Sequence, residues 1–268
     1  MVQCVWRYVN LSRVYTKFGT AWVRQRSRQL VEFTNVLDKV FPEFKPFFKG
    51  RLSVTALYIL TNYQMPEKIA NMRAYEPLRK LSRGRFTMSD FIQLKALAKN
   101  TVGTTNDYLV NQMRILLELY SLIDAKVGEL DDQSRDCIRD NDPPCLSLPG
   151  IGELSVAIIL SEFGDFSKFQ NPSKMLSFAG LEPGYFQSGQ SEFTGHMVKR
   201  GSAQLRYALL NCCLPLVTNE PVFAEYYAKK RAEGKPHRVA MTHVAKKLLR
   251  VIYTLQTKNV RYDPNLIR

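Results

Sequence analysis

The sequence predicts a mainly α protein in two parts: a helical coiled-coil region, then a C-terminal helical domain containing a helix-hairpin-helix. Three observations predict it. Leu109, Met113, Leu116, Tyr120, Ile123, Val127 and Leu130 alternate in steps of four and three, an a/d seam over three heptads. The turn L-P-G-I-G-E (Leu148 to Glu153) runs straight into an apolar segment ending near Ile159. No β-α-β alternation is visible along the 268 residues.

Residues 1–20 show mixed aromatics and no clear period, and are unassigned. From Ala21 to Val40 the positions Val23, Leu30, Phe33, Leu37 and Val40 follow helical spacing, and Pro42 ends the helix. The run F-P-E-F-K-P-F-F (Phe41 to Phe48) predicts a rigid aromatic elbow. Short helices are expected over 52–61, 66–72 and 75–82, and Thr87 or Ser89 caps another reaching Leu97. The seam then gives a coiled coil over about 105–131, within a helical region spanning 21–140. Its partner is either the 21–40 helix or the same helix of a second subunit. Asp131 to Asp142, acid-rich and closed by Pro143-Pro144, reads as a linker. The C-terminal domain occupies 145–268. There Asn171 and Pro172 start a helix that Gly180 ends, and 181–200 is irregular or hairpin. Helices over about 202–218, 221–232 and 238–257 finish the chain.

The net charge is +14, which favours a polyanionic partner. Between His196 and Arg261 there are thirteen Lys or Arg against three acids, so most of the imbalance follows the 181–200 turn region. The five cysteines form no C-x-x-C pair and their odd number argues against a disulfide framework, so reduced, cytoplasmic thiols are expected. No apolar run reaches membrane-spanning length, and no membrane partner is expected. The acid-free, arginine-rich start also suits a mitochondrial transit peptide, but basic helices are common in DNA-binding proteins.

Gly150 and Gly152 would let the backbone approach a phosphate, with the amides of the following helix pointing at it. The plain alternative is an ordinary loop entering a buried helix. Ser188-Gly189 sets a serine in a turn, followed by Lys199, Arg200 and Arg206. A serine hydroxyl is a poor nucleophile without a base, a metal or a dense positive field. No Ser-His-Asp set is legible around His196. The three cations suit the charge of a pentacoordinate phosphorane. On residues alone, turn and nucleophile both stay open. The series Asp131, Asp132, Asp136, Asp140 and Asp142 reads as solvated linker and not as a metal site. Cys212-Cys213 lies in an apolar helix and reads as core. The last helix has one apolar face, and Arg238, Lys246, Lys247 and Arg250 on the other are either solvated or in contact with nucleic-acid phosphates.

Taken in order, these blocks resemble bacterial insertion-sequence transposases of the IS110/IS116 type, over about Trp22 to Arg268. The most specific parts are P-G-I-G-E-L-S-V-A-I-I-L-S-E-F-G-D, N-P-S-K-M-L-S-F-A-G-L-E-P, Y-F-Q-S-G and T-G-H-M-V-K-R-G. G-K-P-H-R-V-A-M-T-H-V-A-K-K-L-L-R extends the match. The resemblance implies DNA recombination guided by a structured bridge RNA, in homo-oligomers. It also implies a C-terminal serine nucleophile at the position of Ser188, with Ser191 as fallback. It further implies a RuvC-like domain upstream of the coiled coil whose four acids bind magnesium. This sequence has only Glu32 and Asp38 before residue 40, so the expectation is a chain without that metal site, holding no cofactor itself and inactive alone. The alternative is a dimerising DNA- or RNA-binding remnant that regulates a full-length transposase.

Overall fold

The computed structural model describes residues 2–104, 106–188, 191–197 and 200–266, with backbone alone for 2–18, 183–188, 191–197 and 266. Two compact units emerge: Thr20–Gly128, and Met1–Gly19 together with Glu129–Arg268. Both are built mainly of helices.

Helix α1 (Val2–Val40) is continuous, so the segment without a sequence period is helical from Val2 onward, and its part from Thr20 opens the first unit. Pro42 follows its end. After it come α2 (Phe44–Phe47), α3 (Val54–Tyr63), α4 (Pro66–Ala70), α5 (Tyr75–Leu81) and α6 (Met88–Lys99). The caps are local and chemical. Ser53 Oγ accepts from the Ala56 amide, and Thr87 with Asp90 closes a reciprocal capping box. The elbow at 41–48 is a chain of ring contacts, Phe41 to Phe44 to Phe48, with centroids 5.5 and 4.8 Å apart. Phe33, Leu37 and Phe44 share a core with Ile59, Leu78, Leu94 and Met113.

Helix α7 (Asp107–Asn141) carries the heptad seam. Met113, Leu116, Ile123 and Val127 are buried. Arg26 of α1 pairs with Asp124 at 2.6 Å, and the Thr104 amide donates to the Lys39 carbonyl. Rising numbers on α1 thus meet falling numbers on α7, and the two pack antiparallel. The 21–40 helix is therefore a partner of this seam within one chain.

The expected linker at 131–142 is not one: α7 runs through it to Asn141. Asp132 and Asp136 are matched three residues later by Arg135 and Arg139, and Ser134 and Ile138 turn inward on one face. The acids cover an amphipathic helix, and Pro143-Pro144 alone ends it.

In the second unit, a 3-10 turn (Pro144–Ser147) leads to α8 (Glu153–Phe163), α9 (Pro172–Ala179), strands β1 (Pro183–Ser188) and β2 (Ser191–Met197), α10 (Ala203–Asn219), α11 (Pro221–Ala232) and α12 (His237–Lys258). The three last helices fall where their periodicity puts them. Leu209, Cys213 and Leu216 of α10 meet Val244, Leu248 and Ile252 of α12 in one core with Phe223. Cys212 and Cys213 are core residues, as expected. Burial pushes the Cys145 and Cys213 thiols up to about 12.

Two glycines of the first unit should respond oppositely to alanine. A β-carbon at Gly103 would overlap the Val40 carbonyl, whereas one at Gly128, mid-helix in α7, meets nothing. Gly103→Ala is expected to lower stability by about 1–3 kcal/mol through overpacking. Gly128→Ala is expected to raise it by roughly 0.8–1 kcal/mol. Urea denaturation measures both, and equal effects would contradict the packing described.

Candidate nucleic-acid interface

The turn before α8 is fixed by its neighbours. Leu148 and Ile151 are buried, the Ile151 amide donates to Leu148 O, and Gly150 takes φ +82°. A β-carbon at Gly150 would stand 2.9 Å from Cβ of Pro215, the proline inside α10, and 3.1 Å from Asn219 Nδ2. Gly150 is thus demanded twice, by its dihedral angle and by α10. Gly152 is different. It is the N-cap of α8 with ordinary φ −84°, no side chain caps the helix, and a β-carbon there meets nothing. The first helical bond runs from the Val156 amide to Gly152 O, so the amides of Glu153, Leu154 and Ser155 have no intrahelical acceptor. Glu153 itself holds Arg139 with two hydrogen bonds, Nε to Oε1 at 2.6 Å and Nη2 to Oε2 at 3.0 Å. This pair was not legible in the sequence, because its members sit on different helices.

The hairpin β1–β2 is short and antiparallel. Phe186 pairs with Phe193, and Ser188 faces Ser191 as the last pair before the connection. The two candidate serines are therefore opposite each other across one ladder rung. Side chains of 183–199 lie outside the described residues, and so does Lys199.

Both ends of the hairpin are rooted on α9. At its near end, Gly180 closes α9 in the left-handed conformation, with the Leu181 amide donating to Leu176 O. At its far end, Gly201 lies so close to the end of α9 that a β-carbon would be 2.6 Å from the Ala179 carbonyl carbon. Arg206 fastens the two together: its Nη1 donates to Gly201 O at 2.7 Å and to Ala179 O at 3.1 Å. Its guanidinium, expected to face a reacting phosphate, is held by backbone. Arg200 is exposed in the turn just before Gly201.

The four cations on α12 separate. Lys246 is half-buried. Burial pushes its ammonium below the ordinary value, the neighbouring Arg250 adds to that, and Glu182 at the hairpin's root opposes it. Lys247 covers α11, donating to Val222 O at 3.3 Å and lying 5.0 Å from the Tyr226 ring centre. Arg238, at the opposite end of the helix, is exposed and about 18 Å from Arg250 by helical rise. The field over this surface is positive. The His243 imidazole is lowered first by burial and then by Lys246, Lys230 and Lys235.

Residues 145–228 match the family model described as "Transposase IS116/IS110/IS902 family". This stretch holds the α8 turn, the hairpin and its root. Similarity to individual proteins extends beyond this stretch. The insertion element IS900 42 kDa protein of Mycobacterium paratuberculosis is 22% identical over 259 residues, 94% of this chain and 65% of the relative. The insertion element IS110 43.6 kDa protein of Streptomyces coelicolor is 28% identical over 124 residues, 46% of this chain and 31% of the relative. The pilin gene-inverting protein of Moraxella bovis is 29% identical over 125 residues, 45% of this chain and 38% of the relative. The matches thus span between about a third and two thirds of these proteins.

The α8 turn allows a clean test of phosphate contact in the transposase region. Gly152→Leu leaves the fold intact and covers the free amides. It is expected to weaken binding to unrelated duplexes equally, because amides read no bases. Gly150→Leu should lose stability and binding together. Fluorescence anisotropy with two duplexes decides, and an unchanged Gly152→Leu affinity would remove the turn from the interface.

Proposed function

We propose that this chain acts on DNA in transposition or site-specific recombination, with residues 145–268 handling the DNA. The observation that carries this reading is the transposase match over 145–228. It coincides with a doubly rooted hairpin whose last rung is Ser188 and Ser191. The similarity to the pilin gene-inverting protein agrees with it.

In this reading Ser188 is the nucleophile, with Ser191 as the alternative. Its Oγ bonds to a DNA phosphorus as the bond from that phosphorus to a deoxyribose oxygen breaks. The hydroxyl proton passes to solvent and the departing oxygen takes one up. One phosphodiester replaces another, so no oxidant or reductant is consumed. Lys199 and Arg200 supply positive charge to the phosphorane. Arg206 is a positioning residue, since it fixes the hairpin's root. Gly150, Gly152, Arg238, Lys246 and Arg250 take backbone phosphates without reading sequence. Among the described residues no group of three or more His, Cys, Asp or Glu could hold a metal ion. These residues do not fit the magnesium implied by the resemblance, and no step here passes through one. A structured guide RNA enters this reading through the resemblance alone.

Assembly has its own observation. Outside the buried seam, α7 shows a second apolar stripe: Ile115 and Leu119 are each 43% exposed and Leu122 57%. Their spacing of four and three places them on one face. This stripe suits a second copy of the chain, and it equally supports the reading of a dimerising, DNA-binding regulator of a full-length transposase. Mixing with a full-length relative separates the two: inhibition favours the regulator, and stimulation favours the recombinase.

Three further outcomes are expected. With magnesium and the upstream acid-bearing domain of a relative supplied, and the DNA flanking the chain's own reading frame as substrate, a denaturant-resistant protein–DNA adduct is expected that the chain alone does not form; Ser188→Ala should abolish it and leave affinity unchanged. An adduct that survives it but vanishes with Ser191→Ala moves the nucleophile three residues, and a complemented wild-type chain that forms none removes the serine chemistry. Arg206→Gln should lower both adduct rate and melting temperature, whereas Arg200→Gln should lower rate alone. For assembly, Leu119→Glu with Leu122→Glu should reduce the light-scattering mass to that of one chain with no loss of melting temperature. An unchanged mass would show that the stripe holds nothing.

A further inference from the structure

Outside the matched transposase residues, the Thr20–Gly128 unit contains a cleft of about 780 Å³. Two turns of the same construction border it. At the end of α2, Lys49 and Gly50 take φ +53° and +72°; at the end of α5, Arg83 and Gly84 take φ +53° and +78°. The hydrogen bonds correspond one to one. The glycine amides donate to Lys45 O and Arg79 O, and the next amides, of Arg51 and Arg85, donate to Phe48 O and Ser82 O. Each turn therefore presents a basic residue, a glycine and an arginine in the same backbone shape.

The four side chains Lys49, Arg51, Arg83 and Arg85 all line this cleft and are all exposed. None has an acidic partner within ion-pair distance among the described residues. Asp90, the one acid on the lining, is engaged by the Thr87 amide and hydroxyl, each at 2.8 Å. Like charges held together without counter-charges repel, and an exposed surface relieves that by pointing them apart. Here the two turns bring them to one concavity. Lys49 and Arg83 also adopt a left-handed backbone that asparagine or glycine would take more readily, so basic side chains are kept at a backbone cost. Apart from Ser53, Thr55 and Ser82, the remaining wall is apolar. Phe47 and Phe48 are half-buried, with Phe48 parallel to Phe86 at an interplanar angle of 9°, and Val54 and Leu81 are exposed beside them.

We infer that this cleft binds unpaired nucleotides of a single-stranded nucleic acid, with phosphates on the four cations and a base against the phenylalanine wall. Cations that follow a backbone, joined to an aromatic surface, are what a single strand requires. A duplex hides its base faces and offers only the phosphates. A free polyphosphate would satisfy the charges and leave the apolar wall without a role. RNA and DNA strands share the chemistry the cleft reads, and a 2′-hydroxyl is the difference between them. This site stands apart from the 145–268 surface and does not depend on the recombinase reading.

The test uses the full chain and photo-crosslinking, which reports position as well as binding. Oligomers of uridine and of deoxythymidine carrying 5-iodouracil or its deoxy form are irradiated with the protein, and crosslinked peptides are mapped by mass spectrometry. Crosslinks are expected on the segment containing Phe47 and Phe48, with RNA, DNA or both, and their relative yields say which strand is preferred. An unlabelled single strand should compete; a duplex of equal length and inorganic polyphosphate should compete at least tenfold less well. The variant Lys49→Asn/Arg51→Gln/Arg83→Asn/Arg85→Gln keeps both glycines and suits both left-handed positions. It should lose at least tenfold in crosslink yield. Its single-strand affinity should show a log–log salt slope shallower by up to about 3. Circular dichroism of this variant should match the wild type. Crosslinks confined to 145–268, or competition by polyphosphate equal to that of a single strand, would overturn the inference. Either result leaves the recombinase reading where the Ser188→Ala experiment puts it, since that experiment does not involve these residues.

Discussion

Two backbones meet at Gly201 with no room for a side chain between them, and the arrangement of the candidate site depends on that contact. The end of α9 and the return from the hairpin lie within van der Waals reach, and Arg206 bonds a carbonyl on each. A two-stranded hairpin is marginal by itself in water. Here its entry and exit are held to a helix that is itself packed into the core, through Met175, Leu176 and Ala179. The position of the 188–191 rung is thus set by residues outside the hairpin, eight to fifteen positions away. Chemistry at a strand tip needs this kind of support, because geometry off by an ångström costs rate steeply.

The core supplies what that root stands on. Val244, Leu248 and Ile252 of α12 are buried against α10, and the same helix leaves Arg250 exposed and lays Lys247 onto Tyr226. One helix therefore shares its cations between surface and packing. Lys247 shows the distinction: its stem and ammonium cover aromatic rings of α11, so its loss would be felt first as packing.

Periodicity made much of this fold legible. The 21–40 helix, the aromatic elbow, the seam on α7, the Asn171–Gly180 helix and the three closing helices are all local patterns, and each lies close to where its residues put it. The acid-rich stretch misled because composition was weighed above phase: Ser134 and Ile138 continue the inward face of α7 while Asp132 and Asp136 remain outside. The candidate site was half legible. Gly150, Gly152 and the serine turn announce themselves through turn chemistry. Arg206 carries no local sign that it serves a backbone carbonyl twenty-seven residues away, and Arg139 gives none that Glu153 is its partner. The K-G-R and R-G-R turns at 49–51 and 83–85 were visible as letters, but only the fold shows that they border one concavity.

The seat of Gly150 on Pro215 has a consequence for how such chains can be recombined with one another in the laboratory. Proline inside α10 removes a backbone donor, and the Asn219 side-chain amide donates to the Pro215 carbonyl. The α8 turn fits against that same spot, so the two segments are halves of one joint though more than sixty residues separate them. A chimaera that takes residues 145–163 from one homologue and 203–219 from another inherits two unmatched halves. Segments exchanged together carry the joint intact, and the boundary for grafting runs around the pair.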